Sequence, residues 1–228
     1  MFLLENFKFI ELDYVLAEEW REGPHKNLLT KVRGKVEGWL NQTVKILIKL
    51  GFTATTLTVL GLCFSIVAAY FYAYPTDLWY IWVAAFFLFL AGFCDVLDGA
   101  AARMSGGNTS SGNFLDSLSD RYSDIVVIFG ILIYSSHFVF FGVSGLVWGV
   151  FALVGSILVS YTRAKAETLN VHLEGVGLAE RPERTIILIG VSLVLHPEWG
   201  LVILAILTHF TVIQRAIYTL KELKTKQI

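Results

Sequence analysis

The stretch that decides the fold runs from Trp79 to Arg103 and reads WYIWVAAFFLFLAGFCDVLDGAAAR. Its first 16 residues, up to Cys94, carry no charge and are almost all apolar. A helix needs about 20 mostly apolar residues to cross the hydrocarbon core of a bilayer. The stretch is therefore predicted to be a membrane span, and its last turns are unusual because they carry two carboxylates, Asp95 and Asp98.

The composition extends this prediction to the whole chain of 228 residues. Hydrophobic residues make up 55% and charged residues 16%, whereas average soluble proteins have about 25% charged residues. These values exclude a disordered chain and argue against a soluble domain. The formal net charge of −1 gives no support to a nucleic-acid partner. Membrane lipids are the expected surroundings.

Hydropathy predicts six membrane spans. The fifth is short and lies between two prolines, and we expect it to begin near Arg181 with Pro182 in its first turn, where the missing N–H costs nothing. The predicted spans are Ala54–Tyr74, Trp79–Ala102, Phe114–Phe138, Val143–Tyr161, Thr185–His196 and Leu201–Leu220.

The positive charges alternate along the chain. Lys and Arg lie before the first span, between the second and third, between the fourth and fifth, and at the end of the sixth. The other connections, around residues 75–78, 140–143 and 196–200, contain neither. Because cytoplasmic loops are enriched in Lys and Arg, we expect a multi-pass protein of the cell membrane with both termini in the cytoplasm.

The region before the first span divides into two parts. Residues 26–50 place apolar side chains at helical spacing with basic residues between them, which predicts an amphipathic juxtamembrane helix. Residues 1–25 form an acidic N-terminal cytoplasmic segment without a recognisable role. The predicted fold is an all-α integral membrane protein, in which a six-helix domain over residues 51–228 follows the amphipathic helix.

Four carboxylates interrupt the second and third spans. Asp95 and Asp98 are three residues apart, and Asp116 and Asp120 are four apart, so each pair shares one helix face. An ionised carboxylate at membrane depth costs on the order of 2.5–3.5 kcal/mol, so four of them need compensating positive charge. The short Gly- and Ser-rich connection over residues 105–112 makes the two spans antiparallel neighbours, and the four carboxylates are expected to converge near the cytoplasmic surface.

These oxygen ligands, with no His or Cys nearby, favour a hard cation, Mg²⁺ or Mn²⁺. Four carboxylates suffice for two ions about 4 Å apart, an arrangement suited to phosphoryl chemistry. The alternative is a set of ordinary acids at solvated helix ends. The regular spacing, together with the bare helix face at Gly99 and the cation at Arg103, favours the metal site.

The pattern Asp95-x2-Asp98-Gly99-x2-Ala102-Arg103-x8-Gly112-x3-Asp116-x3-Asp120 resembles the signature of the CDP-alcohol phosphotransferase family at all eight fixed positions. The resemblance implies a six-helix, metal-dependent and dimeric membrane enzyme that transfers a phosphatidyl-type group from a CDP-linked lipid to an alcohol and releases CMP. It implies that Asp95, Asp98 and Asp116 hold the metal ions, and that Asp120 completes the second metal site and takes the proton of the attacking hydroxyl. The nucleotide-binding residues it implies are Gly99, Ala102, Arg103 and Gly112.

Two positions near this pattern differ from it or lie outside it. Many members of the family have Pro-Asn or Pro-Asp before the first span, whereas this chain has Thr53-Ala54-Thr55-Thr56. The hydroxyl of Thr55 is the candidate replacement for the contact with the nucleotide base. Asp124, one turn after Asp120, is expected to pair with Arg121.

Three arginines enter from three predicted spans on the side of the carboxylates: Arg163, Arg184 and Arg215. Guanidinium groups at one depth repel unless an anion lies between them, which favours an acceptor that already carries a phosphate. Their segments, SYTRAKAE, ERPER and QR, resemble the branch of the family that makes phosphatidylinositol phosphate and its archaeal counterpart. That resemblance implies that the three arginines bind the phosphate of myo-inositol 1-phosphate, with Lys165 and Arg181 as helpers.

Other functions compete with this hypothesis. Within the family, phosphatidylglycerophosphate synthases use glycerol 3-phosphate, an acceptor that also bears a phosphate. A cation transporter would use intramembrane aspartates but would spread them along a path across the membrane. A binding or scaffold protein would not need a complete set of metal ligands. The sequence leaves open whether the donor is a diacyl or an archaeal ether lipid.

Overall fold

The computed structural model describes residues 26–105, 109–173 and 175–226, so the predicted segment 1–25 and residues 106–108 of the predicted connection lie outside the described residues. The chain divides into two units after Gly51. The first contains helix α1 (Lys26–Lys49), which confirms the helix expected over 26–50. Its placement at a membrane surface stays a prediction.

The second unit is a helical bundle. Its helices are, in chain order, α2 (Ala54–Ala73), α3 (Trp79–Met104), α4 (Ser110–Tyr134), α5 (Gly145–Thr168), α6 (Arg181–Leu193) and α7 (Pro197–Lys226). A short 3-10 turn and a two-stranded hairpin connect α4 to α5. In the hairpin, β1 (Val139–Phe140) pairs antiparallel with β2 (Val143–Ser144), and Phe141 and Gly142 both have positive φ, as a tight two-residue turn requires.

Four of the six predicted spans are helices long and apolar enough to cross a membrane, namely α2, α3, α5 and α7. The third predicted span, α4, is 25 residues long, but it contains Asp116, Asp120, Arg121 and Asp124 and is not one of these four helices. The fifth, α6, has only 13 residues; it begins at Arg181 with proline in its first turn, as predicted. The protein is therefore an all-α membrane protein with at least four helices that can cross a bilayer.

Small residues allow α2 to pack closely against both α3 and α4. A Cβ atom at Gly61 of α2 would lie 3.2 Å from the Cβ of Cys94 in α3. On α4, Gly130 packs directly against the backbone of Ala69 in α2, where an added Cβ would lie 2.8 Å from the Ala69 Cα. Such contacts are typical of helix pairs in membranes. They bring α2, α3 and α4 together, and therefore the ends of α3 and α4 that carry the aspartates.

The remaining helices form the other side of the bundle. Helix α5 packs on α7, while α6 packs against both α3 and α7. A buried apolar core joins the two sides and includes Ile81, Leu88, Ile128, Ile131 and Leu204. Large apolar side chains also cover the outside of the bundle, including Phe86, Phe89, Phe129, Phe151 and Phe210. Such an apolar exterior suits lipid as the surroundings.

The connection between α5 and α6 is fixed to α7. Thr211 Oγ1 accepts hydrogen bonds from the backbone N–H groups of Leu178 (3.2 Å) and Ala179 (3.1 Å). Gly177 has φ +114°, and a Cβ there would collide with the Thr211 side chain. Because only glycine combines this backbone conformation with such close approach, Gly177 allows the connection to pack against α7 shortly before α6 begins.

We expect Gly130→Ala to lower the free energy of unfolding by about 1–3 kcal/mol, because the added methyl group overpacks the contact with Ala69. Gly190→Ala is the matched control, since a Cβ at that helical position has no heavy atom within 4 Å. Alanine is the better helix former by about 1 kcal/mol, so the control should be as stable as the original protein or more stable. Thermal unfolding of the purified proteins in detergent measures both; equal stability of the two variants would contradict the packing.

Candidate active site

Three predicted metal ligands come together where the end of α3 meets the start of α4. One carboxylate oxygen from each of Asp95, Asp98 and Asp116 lies within 4.8 Å of the others. Two oxygens bound to one Mg²⁺ at 2.0–2.1 Å lie at most about 4.2 Å apart. Small side-chain rotations therefore suffice to bring the three oxygens to bonding distance of one ion.

The second of these carboxylates is held from outside its own helix. Asp98 is 6% exposed, and Thr58 Oγ1 of α2 donates a 2.7 Å hydrogen bond to Asp98 Oδ2. The same hydroxyl lies 3.0 Å from the carbonyl oxygen of Ala54. The hydrogen bond from Thr58 orients Asp98. It could not be predicted from the sequence, because the two residues are 40 positions apart.

The donor set fits a divalent cation. Asp116 Oδ1 is buried and has no hydrogen-bond partner among the described residues. An unpartnered buried carboxylate oxygen is costly, and a hard cation removes that cost. All the candidate ligands are carboxylate oxygens, the type preferred by Mg²⁺ and Mn²⁺. The three carboxylates therefore suit either Mg²⁺ or Mn²⁺.

The fourth aspartate is joined to the cluster through an arginine. Arg181 is the first residue of α6, and its Nη1 lies 2.6 Å from Asp120 Oδ1 in an ion pair. The same Nη1 also contacts Asp95 Oδ1. One guanidinium group thus links a carboxylate of α3 to a carboxylate of α4.

A polar cavity of about 380 Å³ adjoins the aspartates. Its wall contains two of the four candidate metal ligands and five arginines from four helices: Asp116, Asp120, Arg121, Arg163, Arg181, Arg184 and Arg215. The three arginines predicted to share one site therefore do so, together with Arg181. Lys165 is exposed and does not belong to the described residues that line this cavity.

Each of the three predicted arginines has a carboxylate partner of its own. Arg215 is 2% exposed, and its Nη2 lies 2.9 Å from Glu180 Oε1; its other nitrogens donate to backbone carbonyls. Arg163 pairs with Glu167 at 3.1 Å. Protein carboxylates therefore already reduce the mutual repulsion of the three arginines, and their charge alone does not require a bound anion between them.

Arg184 shows a second difference from the sequence-based expectation. Its Nη2 lies 2.5 Å from Asp124 Oδ2, and the Arg184 side chain is 4% exposed. The predicted pair of Asp124 with Arg121 is wrong, since Arg121 Nη1 instead donates to the carbonyl oxygen of Ser117. Asp124 pairs with Arg184 of α6 because leaving the buried Arg184 guanidinium without a counter-charge costs more free energy than leaving the less buried Arg121 without one.

The predicted nucleotide-binding residues lie around the same helix ends. A Cβ at Gly99 would lie 3.5 Å from Arg103 Nη1, so the guanidinium lies against the bare face of α3. Thr109 Oγ1 caps α4 by accepting from the N–H of Gly112 at 3.1 Å, and a Cβ at Gly112 would lie 3.0 Å from that oxygen. Ala102 is half-buried near the end of α3, and Thr55 is exposed in the first turn of α2.

An apolar groove of about 260 Å³ reaches the acids from another side. Its wall is formed by residues of α2, α3, α4, α6 and α7, and its charged members are Asp95, Asp124, Arg181 and Arg184. Apolar members of the wall include Leu88, Phe89, Ile186 and Ile189. The site therefore has an apolar side and a polar side, a division that hydropathy along the sequence did not reveal.

Comparison with known proteins identifies the family. The model of the CDP-alcohol phosphatidyltransferase family matches residues 52–214, which include every aspartate of the cluster and the cavity's Arg121, Arg163, Arg181 and Arg184. The chain belongs to the CDP-alcohol phosphatidyltransferase family. It is therefore an enzyme, and the transporter and scaffold alternatives are excluded. Members of this family act on CDP-linked alcohols. Arg215 lies one residue beyond the match.

Individual members of the CDP-alcohol phosphatidyltransferase family are similar over most of the chain. An archaetidylinositol phosphate synthase of Pyrococcus horikoshii is 36% identical over 200 residues, which cover 86% of this chain and 99% of that protein. The crystal structure of a Mycobacterium tuberculosis phosphatidylinositol phosphate synthase with CDP-DAG bound has a TM-score of 0.66 at 30% identity, and covers 79% of this chain and 92% of that one. The same mycobacterial enzyme in complex with manganese and citrate also has a TM-score of 0.66, at 29% identity, and covers 79% of this chain and 88% of that one.

We expect Glu180→Gln to destabilise the protein by about 2 kcal/mol, because it leaves the buried Arg215 guanidinium without its counter-charge. Breaking a fully buried pair costs roughly 3–5 kcal/mol, and this pair is worth less because 28% of the Glu180 side chain is exposed. Glu183→Gln, an exposed change in the first turn of α6, is the control. Denaturant or thermal unfolding of both variants checks the prediction, and equal stability would contradict it.

Proposed function

We propose that this enzyme transfers the phosphatidyl-type group of a CDP-linked lipid to inositol phosphate and releases CMP. The observation that carries the proposal is the continuity of the aspartate cluster with the arginine-lined cavity, since Asp116 belongs to both and Arg181 joins Asp120 of the cavity to Asp95 of the cluster. A diphosphate next to the acids would then meet a phosphate-bearing acceptor in the cavity. The names of the relatives, which are inositol phosphate lipid synthases, support the same choice.

The donor is proposed to bind at the aspartates. Asp95, Asp98 and Asp116 would hold a divalent cation, with Asp120 completing a second site for a second ion, and Mg²⁺ or Mn²⁺ fits their oxygen ligands. When bound, such ions neutralise the diphosphate and stabilise CMP as the leaving group. Asp95 also lines the apolar groove, and the apolar wall of that groove suits the lipid chains of the donor.

The nucleotide would lie at the adjoining helix ends. Arg103, held over the bare backbone at Gly99, is placed to support the diphosphate. Thr55 would supply a hydroxyl for the base in place of the family's usual Asn or Asp. The remaining residues proposed to line this part of the site are Ala102 and Gly112.

Asp120 is proposed to be the general base. It would take the proton from the hydroxyl of the acceptor, whose oxygen then forms a bond to the lipid-linked phosphorus. The bond from that phosphorus to the CMP oxygen breaks, so the products are a new phosphodiester, CMP and one proton. A base needs only hydrogen-bond reach and a correctly oriented hydroxyl, and Asp120 lines the cavity proposed to hold the acceptor.

The acceptor phosphate is proposed to bind to the cavity's arginines. Arg163 is the most accessible of the three predicted ones, with a side chain 43% exposed, whereas Arg184 and Arg215 are buried and preoriented by Asp124 and Glu180. Preoriented guanidinium groups bind phosphate at a lower entropic cost. Lys165 stays a prediction from its sequence motif.

We also propose the membrane topology. In the six-span arrangement, α4 and α6 cross the bilayer with their charged first turns in the polar mouth of the site, and α1 lies as an amphipathic helix at the surface. The alternation of Lys- and Arg-rich connections supports a cytoplasmic location for both termini and the active site. The catalytic domain would comprise residues 51–228, and the resemblance to the family supports a homodimer.

A panel of acceptors tests the proposed reaction. With a CDP-linked lipid, inositol 1-phosphate should support CMP release, and glycerol 3-phosphate, serine and water should support at least tenfold less. A chelator should abolish release, and Mg²⁺ or Mn²⁺ should restore it, because both are proposed to bind the same oxygen ligands. If glycerol 3-phosphate is the better acceptor, the enzyme is a phosphatidylglycerophosphate synthase; chelator-resistant activity would contradict the metal site.

Asp120→Asn should lower kcat for CMP release by at least 100-fold, because the amide does not accept the proton of the attacking hydroxyl. Asp77→Asn removes an exposed acid from the connection between α2 and α3 and is the control for the charge change. Single-turnover release of CMP measures the step, with the melting temperature recorded for both proteins. Retained turnover in folded Asp120→Asn protein would overturn the assignment of the base.

A further inference from the structure

Arg181 contacts the carboxylates in a way that its predicted role as a helper in phosphate binding does not explain. Its Nη1 lies 2.6 Å from Asp120 Oδ1 and donates a hydrogen bond to Asp95 Oδ1. The three side chains are only 21%, 26% and 35% exposed, in the order Arg181, Asp120, Asp95. The guanidinium therefore offsets part of the negative charge of these two acids in a setting where water screens little.

The same carboxyl groups are candidate ligands for a divalent cation. Asp95 belongs to the three-carboxylate cluster, and Asp120 lies one turn beyond Asp116 on α4. A cation of charge +2 at these carboxyl groups would lie within a few ångströms of the guanidinium, and in a half-buried site their repulsion is strong. The divalent cation and the present contacts of Arg181 are therefore alternatives.

An Arg181 side chain displaced from the carboxylates would still lie beside the polar cavity. Arg181 already lines its wall, so loss of the carboxylate contacts leaves its charge beside the cavity. Five arginines and five carboxylates line the described wall: Arg121, Arg163, Arg181, Arg184, Arg215, Asp116, Asp120, Asp124, Glu167 and Glu180. With equal numbers of opposite charges, the wall by itself attracts an anion weakly. Cations bound to its aspartates would make it positive and free one guanidinium as well.

We propose that Arg181 is the internal counter-ion of the aspartate cluster, which a divalent cation displaces, so that loading the metal strengthens binding of the acceptor's phosphate. The inference deepens the proposed function and rests on its metal site. It makes Arg181 a positioning residue that couples two binding events, and such coupling is reciprocal. Phosphate should accordingly also strengthen binding of the metal.

Mn²⁺ binding tests the displacement directly. Removing a competing cation should tighten binding, so Arg181→Gln should lower the Kd for Mn²⁺ by about tenfold relative to the original protein; a merely structural role would weaken it. Lys224→Gln, which removes an exposed positive charge near the end of α7, should leave the Kd unchanged. The free ion is counted by electron paramagnetic resonance in chelator-treated, detergent-purified protein.

The outcomes separate this inference from the proposed function. An Arg181→Gln protein that binds Mn²⁺ equally or more weakly overturns the counter-ion role while leaving the metal site standing. Failure of the original protein to bind Mn²⁺ at all overturns the metal site, and the inference with it. A tighter Kd in Arg181→Gln alone, with Lys224→Gln unchanged, is the expected result.

Thermal stability keeps the test decisive if the variant is unstable. Without metal, Arg181→Gln should melt at least several degrees lower than the original protein, because the aspartates lose their counter-ion, and Mn²⁺ should restore it. A variant that folds only with Mn²⁺ also supports the role. Equal melting temperatures without metal, or a deficit that Mn²⁺ does not reverse, would overturn it.

The coupling has its own measurement with inorganic phosphate as the probe. In the original protein, phosphate should raise the melting temperature more at saturating Mg²⁺ than with chelator, because Arg181 is then available to it. In Arg181→Gln that additional gain should shrink by half or more. An undiminished gain would show that metal and phosphate are coupled without Arg181 and would overturn this part of the proposal.

Discussion

Mutual repulsion among carboxylates in the half-buried end of a helical bundle is the constraint on which the rest of the structure depends. Asp95 and Asp120 come from different helices and lie close together because Arg181 contacts both. That arginine is the first residue of α6, so its position depends on the connection that Thr211 and Gly177 fix to α7. The charge balance of the acids is therefore set by helices at the other side of the bundle.

The aspartate cluster could be predicted from the sequence because its information is local. Spacings of three and four residues define helix faces. The short connection predicts that α3 and α4 pack directly on each other, whereas the structure brings their faces together by packing both helices closely on α2. The partners of the arginines could not be predicted in the same way. Asp124 and Arg184 are 60 positions apart, on helices that the tertiary fold brings together, and the sequence favoured the local partner Arg121. Similarly, the charged first half of α4 and the shortness of α6 leave them outside the helices that are apolar and long enough to span a membrane.

The site is divided between two environments that share three charged side chains. Asp124, Arg181 and Arg184 line both the apolar groove and the polar cavity. Members of this family join a lipid that favours the bilayer to a small alcohol that favours water. A groove and a cavity that meet at the charged groups allow each substrate to approach from its own phase, so neither has to cross the other's environment. The fold provides this with helices alone, because backbone polar groups inside a bilayer must be satisfied within each segment.

Asp116, Asp120 and Asp124 follow one another at intervals of four residues along α4. Asp116 Oδ1 is buried without a hydrogen-bond partner among the described residues, Asp120 pairs with Arg181, and Asp124 pairs with Arg184. In the proposed reaction, one side of a single helix would therefore serve the donor, the proton transfer and the acceptor in successive turns. Each residue of an α-helix is rotated by about 100° from the last. An insertion or deletion of one residue within these turns would point the later carboxylates away from their partners, so the length of this segment is expected to be far less tolerant of change than its apolar side chains.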